Sequence, residues 1–165
     1  MATLKVVANR SERGQAVIEM ALALPLLLLV VLGVFDFGLM FQKYEVVTNA
    51  AREGGRVGVL PDYTPLLAQQ RALDYLAVGG LTGTVRGSLA SCAGALAAGQ
   101  RCVSAVVSDV TITGSAPPKT VKQITVTATY DYRFQWVGPL MNLFGGGSLG
   151  TSRLTAVTTM RLENN

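Results

Sequence analysis

The sequence predicts an α+β protein, with one long N-terminal helix leading into a small head that holds a second helix and an antiparallel sheet. Three observations predict it. From Ala16 to Phe41 the chain is apolar and carries no charge except Glu19 and Asp36. Helix start and stop signals then bracket residues 65–78. Beyond them, apolar and polar residues alternate with the two-residue period of half-buried strands. The expected organisation is a leader at 1–14, a helix over 15–60 with a span at 16–41, and a head over 61–165.

The span comes first. A bilayer core of ~30 Å needs about 20 apolar helical residues, and counted from Ala16 such a run ends at Phe35. Asp36 is then expected at the far interface, solvated by water and headgroups, and Glu19 near the other interface. Lys5, Arg10 and Arg13 outweigh Glu12 in the leader. Basic flanks stay inside, so the leader is expected to be cytoplasmic and the head external. Pro25 removes one helical hydrogen bond and exposes the carbonyl of Ala21. A cleavable secretory signal would have a shorter apolar core and a small-residue site, which this run lacks. An uncleaved anchor remains an alternative.

Residues 42–59 are expected to continue the helix. Val46, Val47, Ala50, Ala51 and Val57 form an apolar face. Asn49, Arg52, Glu53 and Arg56 form a polar one, read either as a partner contact or as a solvated face. Gly54, Gly55 and Gly58, with Pro61, are expected to weaken and end the helix. For 65–78, Thr64 can cap, Pro65 suits the first helical position and Gly79-Gly80 stop. Its stripe of Leu66, Leu67, Leu73 and Leu76 is read as core.

Strands are expected at about 103–113, 121–134 and 152–162. In the second, Ile124, Val126, Ala128, Tyr130, Tyr132 and Phe134 should face the core, while Thr125, Thr127, Thr129, Asp131 and Arg133 face outward. Residues 136–147 are read as a loop. Its Trp136, Leu140, Leu143 and Phe144 could serve as a contact patch, as core or as a membrane-surface contact.

Composition narrows the function. The net charge is +4, and 50% of residues are apolar against 15% charged. No basic stripe interleaved with aromatics runs along the chain, so a nucleic-acid partner is not expected. The chain has no histidine, the commonest general base and metal ligand. With no phosphate loop, dinucleotide fingerprint or nucleophile elbow, no enzyme activity, cofactor or metal is expected. Cys92 and Cys102 are either free thiols or, in an oxidising compartment, a disulfide.

Arg13-Gly14 followed by Gln15, Ala16, Val17, Ile18, Glu19 and Met20 resembles a type IV prepilin processing site. With Leu24-Pro25, Asp36-Phe37-Gly38 and the stretch from Thr48 to Gly54, the chain most resembles the TadE-like minor pseudopilins of the tight-adherence (Tad) pilus. The resemblance covers about residues 10–58. It implies a type IV pilin-like fold and cleavage between Gly14 and Gln15 by a prepilin peptidase. It also implies roles in pilus assembly, adhesion and biofilm formation. The partners implied are major and minor pilins, the inner-membrane Tad assembly platform and membrane lipid. Met20 departs from the aromatic residue of major Tad pilins and so fits a minor subunit. The alternative function is an uncleaved periplasmic scaffold or ligand-binding domain of a secretion system. Apart from the resemblance, residues 15 and 19 share a helix face. Glu19 could therefore pair with the new α-amino group, of its own chain or a neighbour's, or simply reach the headgroups.

Overall fold

The computed structural model describes residues 11–62, 64–85, 92, 94, 96–114, 118–143 and 150–162. Residues 1–10 of the expected leader and 144–147 of the expected contact patch lie outside them. Helix α1 runs over Ser11–Gly58, α2 over Pro65–Val78 and α3 over Val137–Leu143. Strands β1 (Arg101–Ile112), β2 (Lys119–Arg133) and β3 (Thr151–Arg161) form an antiparallel sheet in the order β1-β2-β3.

α1 has 48 residues, about 72 Å at 1.5 Å per residue. Pro25 lies within it. Its two halves differ. Nearly every side chain from Gly14 to Val31 is exposed, including Ile18, Leu22, Leu26, Leu27 and Val30. From Asp36 onward one face is enclosed, and Val47, Ala50, Ala51 and Val57 join the core. The distal half of α1 is therefore one wall of the head's core. α2 forms as the sequence indicates. Thr64 Oγ1 accepts the Leu67 N–H and Pro65 opens the helix. Its buried stripe, however, is Ala68, Gln69, Ala72 and Leu76, while Leu66 and Leu67 are exposed. α2 lies so close to α1 that alanines, Ala68 and Ala72, stand where the helices meet.

The glycines explain that distance. A Cβ at Gly54 would lie 2.9 Å from the Ala68 carbonyl oxygen and 3.0 Å from the Ala72 Cβ. One at Gly58 would lie 3.2 Å from the Ala68 Cβ. Gly54 and Gly58, four apart, therefore meet Ala68 and Ala72, also four apart, along facing ridges. α1 ends at Gly58, just before Pro61, as the sequence indicates; Gly54 and Gly55 lie inside it, and tertiary contact repays their poor helix propensity.

The central strand β2 buries Ile124, Val126, Ala128 and Tyr132 against the helices. Its other face was expected to be solvated throughout, yet Thr129 and Asp131 on it are buried. Cys102, opposite Thr129 in the strand register, is tied to Cys92 of the preceding chain by a disulfide, and Leu96 is buried. The Gly99 N–H donates to the Asp131 carbonyl and the Asp131 N–H to that of Gln100. The thiols are thus paired. Reduction is expected to cost about 2–3 kcal/mol for so short a loop, measurable as a lower thermal midpoint in dithiothreitol. The edge of β1 is covered near its start, where Gln69 Nε2 donates to the Val103 carbonyl and the Arg101 N–H donates to Thr84. Further on, Val106, Val107, Val110 and Ile112 are exposed.

Candidate functional site

The residues singled out by sequence fall into three places along α1. At its start, Gly14 and Gln15 are exposed. A Cβ at Gly14 would meet nothing within 4 Å, so the fold itself does not require glycine there. Gln15 Nε2 donates to Glu19 Oε1 at 3.2 Å, which puts both residues on one helix face, as their spacing predicts.

The second place is Asp36. Water and headgroups were expected to solvate it, but its exposure is 0%. Oδ1 accepts the Gln135 N–H at 3.0 Å. Oδ2 accepts the N–H groups of Trp136 at 3.0 Å and Val137 at 2.7 Å. These are donors at the start of α3, which no helix carbonyl can reach, and α3 has no acidic residue in its first turn. Asp36 therefore caps a helix a hundred residues away in sequence. Around it, Tyr132 Oη donates to the Asp36 carbonyl at 3.4 Å, and Phe134 packs edge-on against Phe37 and Tyr132. Burial, and then the Asp36 charge, push the Tyr132 hydroxyl above its ordinary pKa. The segment expected to be a loop after Gln135 thus opens as a short helix. No local signal marks this capping role. A carboxylate at the end of an apolar run is all the sequence displays.

The third place is the polar face of α1. Asn49, Arg52, Glu53 and Arg56 line one open groove of about 770 Å³, with Tyr75 of α2 and Val157 to Met160 of β3 at its sides. Glu53 is engaged within the chain. Arg56 donates to both its oxygens, at 3.0 and 2.9 Å. Arg71 of α2 donates to Oε1 through two nitrogens, each at 3.2 Å. The Arg56 bonds chiefly, and Arg71 beside them, hold the Glu53 carboxyl at about 2 against its ordinary 4.5, although partial burial pushes the other way. A lowered carboxyl pKa stabilises the fold above the unfolded value, and this is lost as pH falls from 4.5 toward 2. Both arginines are more than half exposed, so solvent limits the gain to about 0.5–1 kcal/mol. Glu53→Gln is expected to be that much less stable at neutral pH and to converge with the native chain in acid. Urea midpoints at neutral and acidic pH check this.

One ion pair escaped the sequence reading. Arg153 Nε and Nη2 donate to the two oxygens of Asp131, at 3.0 and 3.4 Å, between residues that are cross-strand partners. Opposite charge directly across β2 and β3 favours this register. Among the described residues no group of three or more His, Cys, Asp or Glu is placed to hold a metal ion.

The arrangement defines a class: a small α+β head carried on one apolar helix, which by length and composition can cross a membrane once. Residues 14–56, a minor part of the chain, are similar to the family model described as TadE-like protein, overlapping the stretch from Arg13 to Gly54 that carried the resemblance. Neither a curated protein nor a solved structure matches the chain.

Proposed function

We propose that this chain is a minor pilin or pseudopilin of a Tad-type pilus, cut after Gly14 by a prepilin peptidase. The observation that carries this reading is the exposed Gly14-Gln15 bond at the start of a helix, with Glu19 bonded to Gln15, inside the stretch that matches the TadE-like family. The precursor inserts in the bacterial inner membrane with residues 1–14 cytoplasmic and the head periplasmic. Cleavage gives Gln15 a free amino group beside Glu19, at the positive end of the helix dipole. That carboxylate then registers the helix against a neighbouring pilin's amino terminus. The exposed apolar residues of the proximal half pack laterally against sister helices. The groove of Asn49, Arg52 and Arg56 faces partner pilins or the assembly platform. The role is structural and serves assembly, adhesion and biofilm formation.

The test is the mass and N-terminal sequence of the protein from membranes that contain the peptidase. The native chain is expected to begin at Gln15. Gly14→Leu is expected to accumulate uncut yet folded, since a side chain at Gly14 meets open space. Glu19→Ala should be cut and inserted but lose co-purification with partner pilins. A native chain beginning at residue 1 or 2, or a Gly14→Leu variant still cut after residue 14, would overturn the assignment.

A further inference from the structure

We propose that the corner formed by Trp136 and α3 is a second membrane contact, which seats the head on the lipid surface where α1 leaves the bilayer. The inference rests on α1 crossing a membrane and not on any role in a pilus.

Height is the first argument. The three bonds to Asp36 hold residues 135–137 level with that residue. A Cβ at Gly33 would lie 4.0 Å from Val137 Cγ2, so the corner also reaches down beside the last turn of the apolar run. A hydrocarbon core entered at Ala16 ends about 20 residues later, near Phe35. The corner therefore stands at the boundary between acyl chains and headgroups.

Its chemistry suits that depth. Residues 134–143 carry no charge. Trp136 is 43% exposed, and an indole ring, apolar with one N–H donor, concentrates at this boundary. At the same height on α1, Val34, Phe35 and Phe37 are exposed, and Phe37 packs edge-on against Phe134 beside the corner. Arg133, exposed at the end of β2, supplies a cation near the phosphates. Backbone near lipid must also have its polar groups satisfied. Asp36 does this for the N–H groups of 135, 136 and 137, so the corner approaches acyl chains without bringing these donors unpaired.

Trp136 is the only tryptophan, so the intrinsic fluorescence of the unmodified full chain reports this corner alone. The experiment reconstitutes the chain in phosphatidylcholine vesicles whose acyl chains are brominated either near the headgroup or near the methyl end. Bromines near the headgroup are expected to quench Trp136 more strongly. Aqueous acrylamide should quench it less than it quenches free tryptophan amide. Both results should persist on dilution below one chain per vesicle. Full access to acrylamide without bromine quenching would overturn the proposal and leave the corner in water. Shielding from acrylamide without bromine quenching, or shielding that vanishes on dilution, would overturn it in favour of contact with a second copy. Neither result depends on whether the leader is cut.

Discussion

Replacing Asp36 by alanine is expected to lower the thermal midpoint of the detergent-solubilised protein by about 6–12 °C, from a loss of ~3 kcal/mol at about 2–4 °C per kcal/mol. The carboxylate accepts three backbone N–H groups in an enclosed position. Bonds to a charged acceptor are stronger than neutral ones, and a buried donor left unpaired costs its full desolvation. Alanine removes every acceptor at once. Asparagine keeps one oxygen and should fall between the two. Trp136, whose own N–H binds the carboxylate, reports the change by its fluorescence. A midpoint for Asp36→Ala within about 2 °C of the native one would mean that water replaces the cap without loss.

Gly54→Ala is expected to cost about 1–3 kcal/mol, although alanine in an exposed helix would gain about 1 kcal/mol over glycine. The new methyl would meet the Ala68 carbonyl oxygen at 2.9 Å, and a backbone atom can give way only if α2 moves. Gly58→Ala sets the contrast. There the nearest atom is Ile124 Cδ1 at 2.5 Å, the end of a side chain and not backbone, so a rotamer shift in the core can absorb part of the crowding and the cost is expected to be smaller than at Gly54. Urea midpoints of the two variants separate these cases. Equal effects would show that the contact between α1 and α2 is looser than these distances imply.

Elements with a local cause were legible in the sequence. α2 follows from Thr64, Pro65 and Gly79, whose capping chemistry acts within one turn. β2 and β3 follow from period-two alternation, and α1 from an apolar run too long for any other element. The start of the candidate site was legible for the same reason, since Gln15 and Glu19 are four residues apart on one helix. Where a residue's partner lies far along the chain, the reading failed. Thr129 and Asp131 look outward by alternation, but the disulfide-bonded Cys102 stands across from Thr129 and Arg153 binds Asp131. Gly54 shows only as a weak helix former until Ala68 and Ala72 are set against it. Glu53 looks available to a partner until Arg71 arrives from α2.

Asp36 marks the division most clearly. By itself the sequence determined the class of protein: one apolar helix of bilayer length, a glycine before a helical glutamine and glutamate, and a small α+β head. Only the tertiary structure decided how the head is fixed to that helix. Periodicity and capping signals act within a turn or a strand, and the sequence carries them directly. The clasp between Asp36 and residues 135–137 depends on bringing together groups a hundred residues apart, and packing of the whole head determines that.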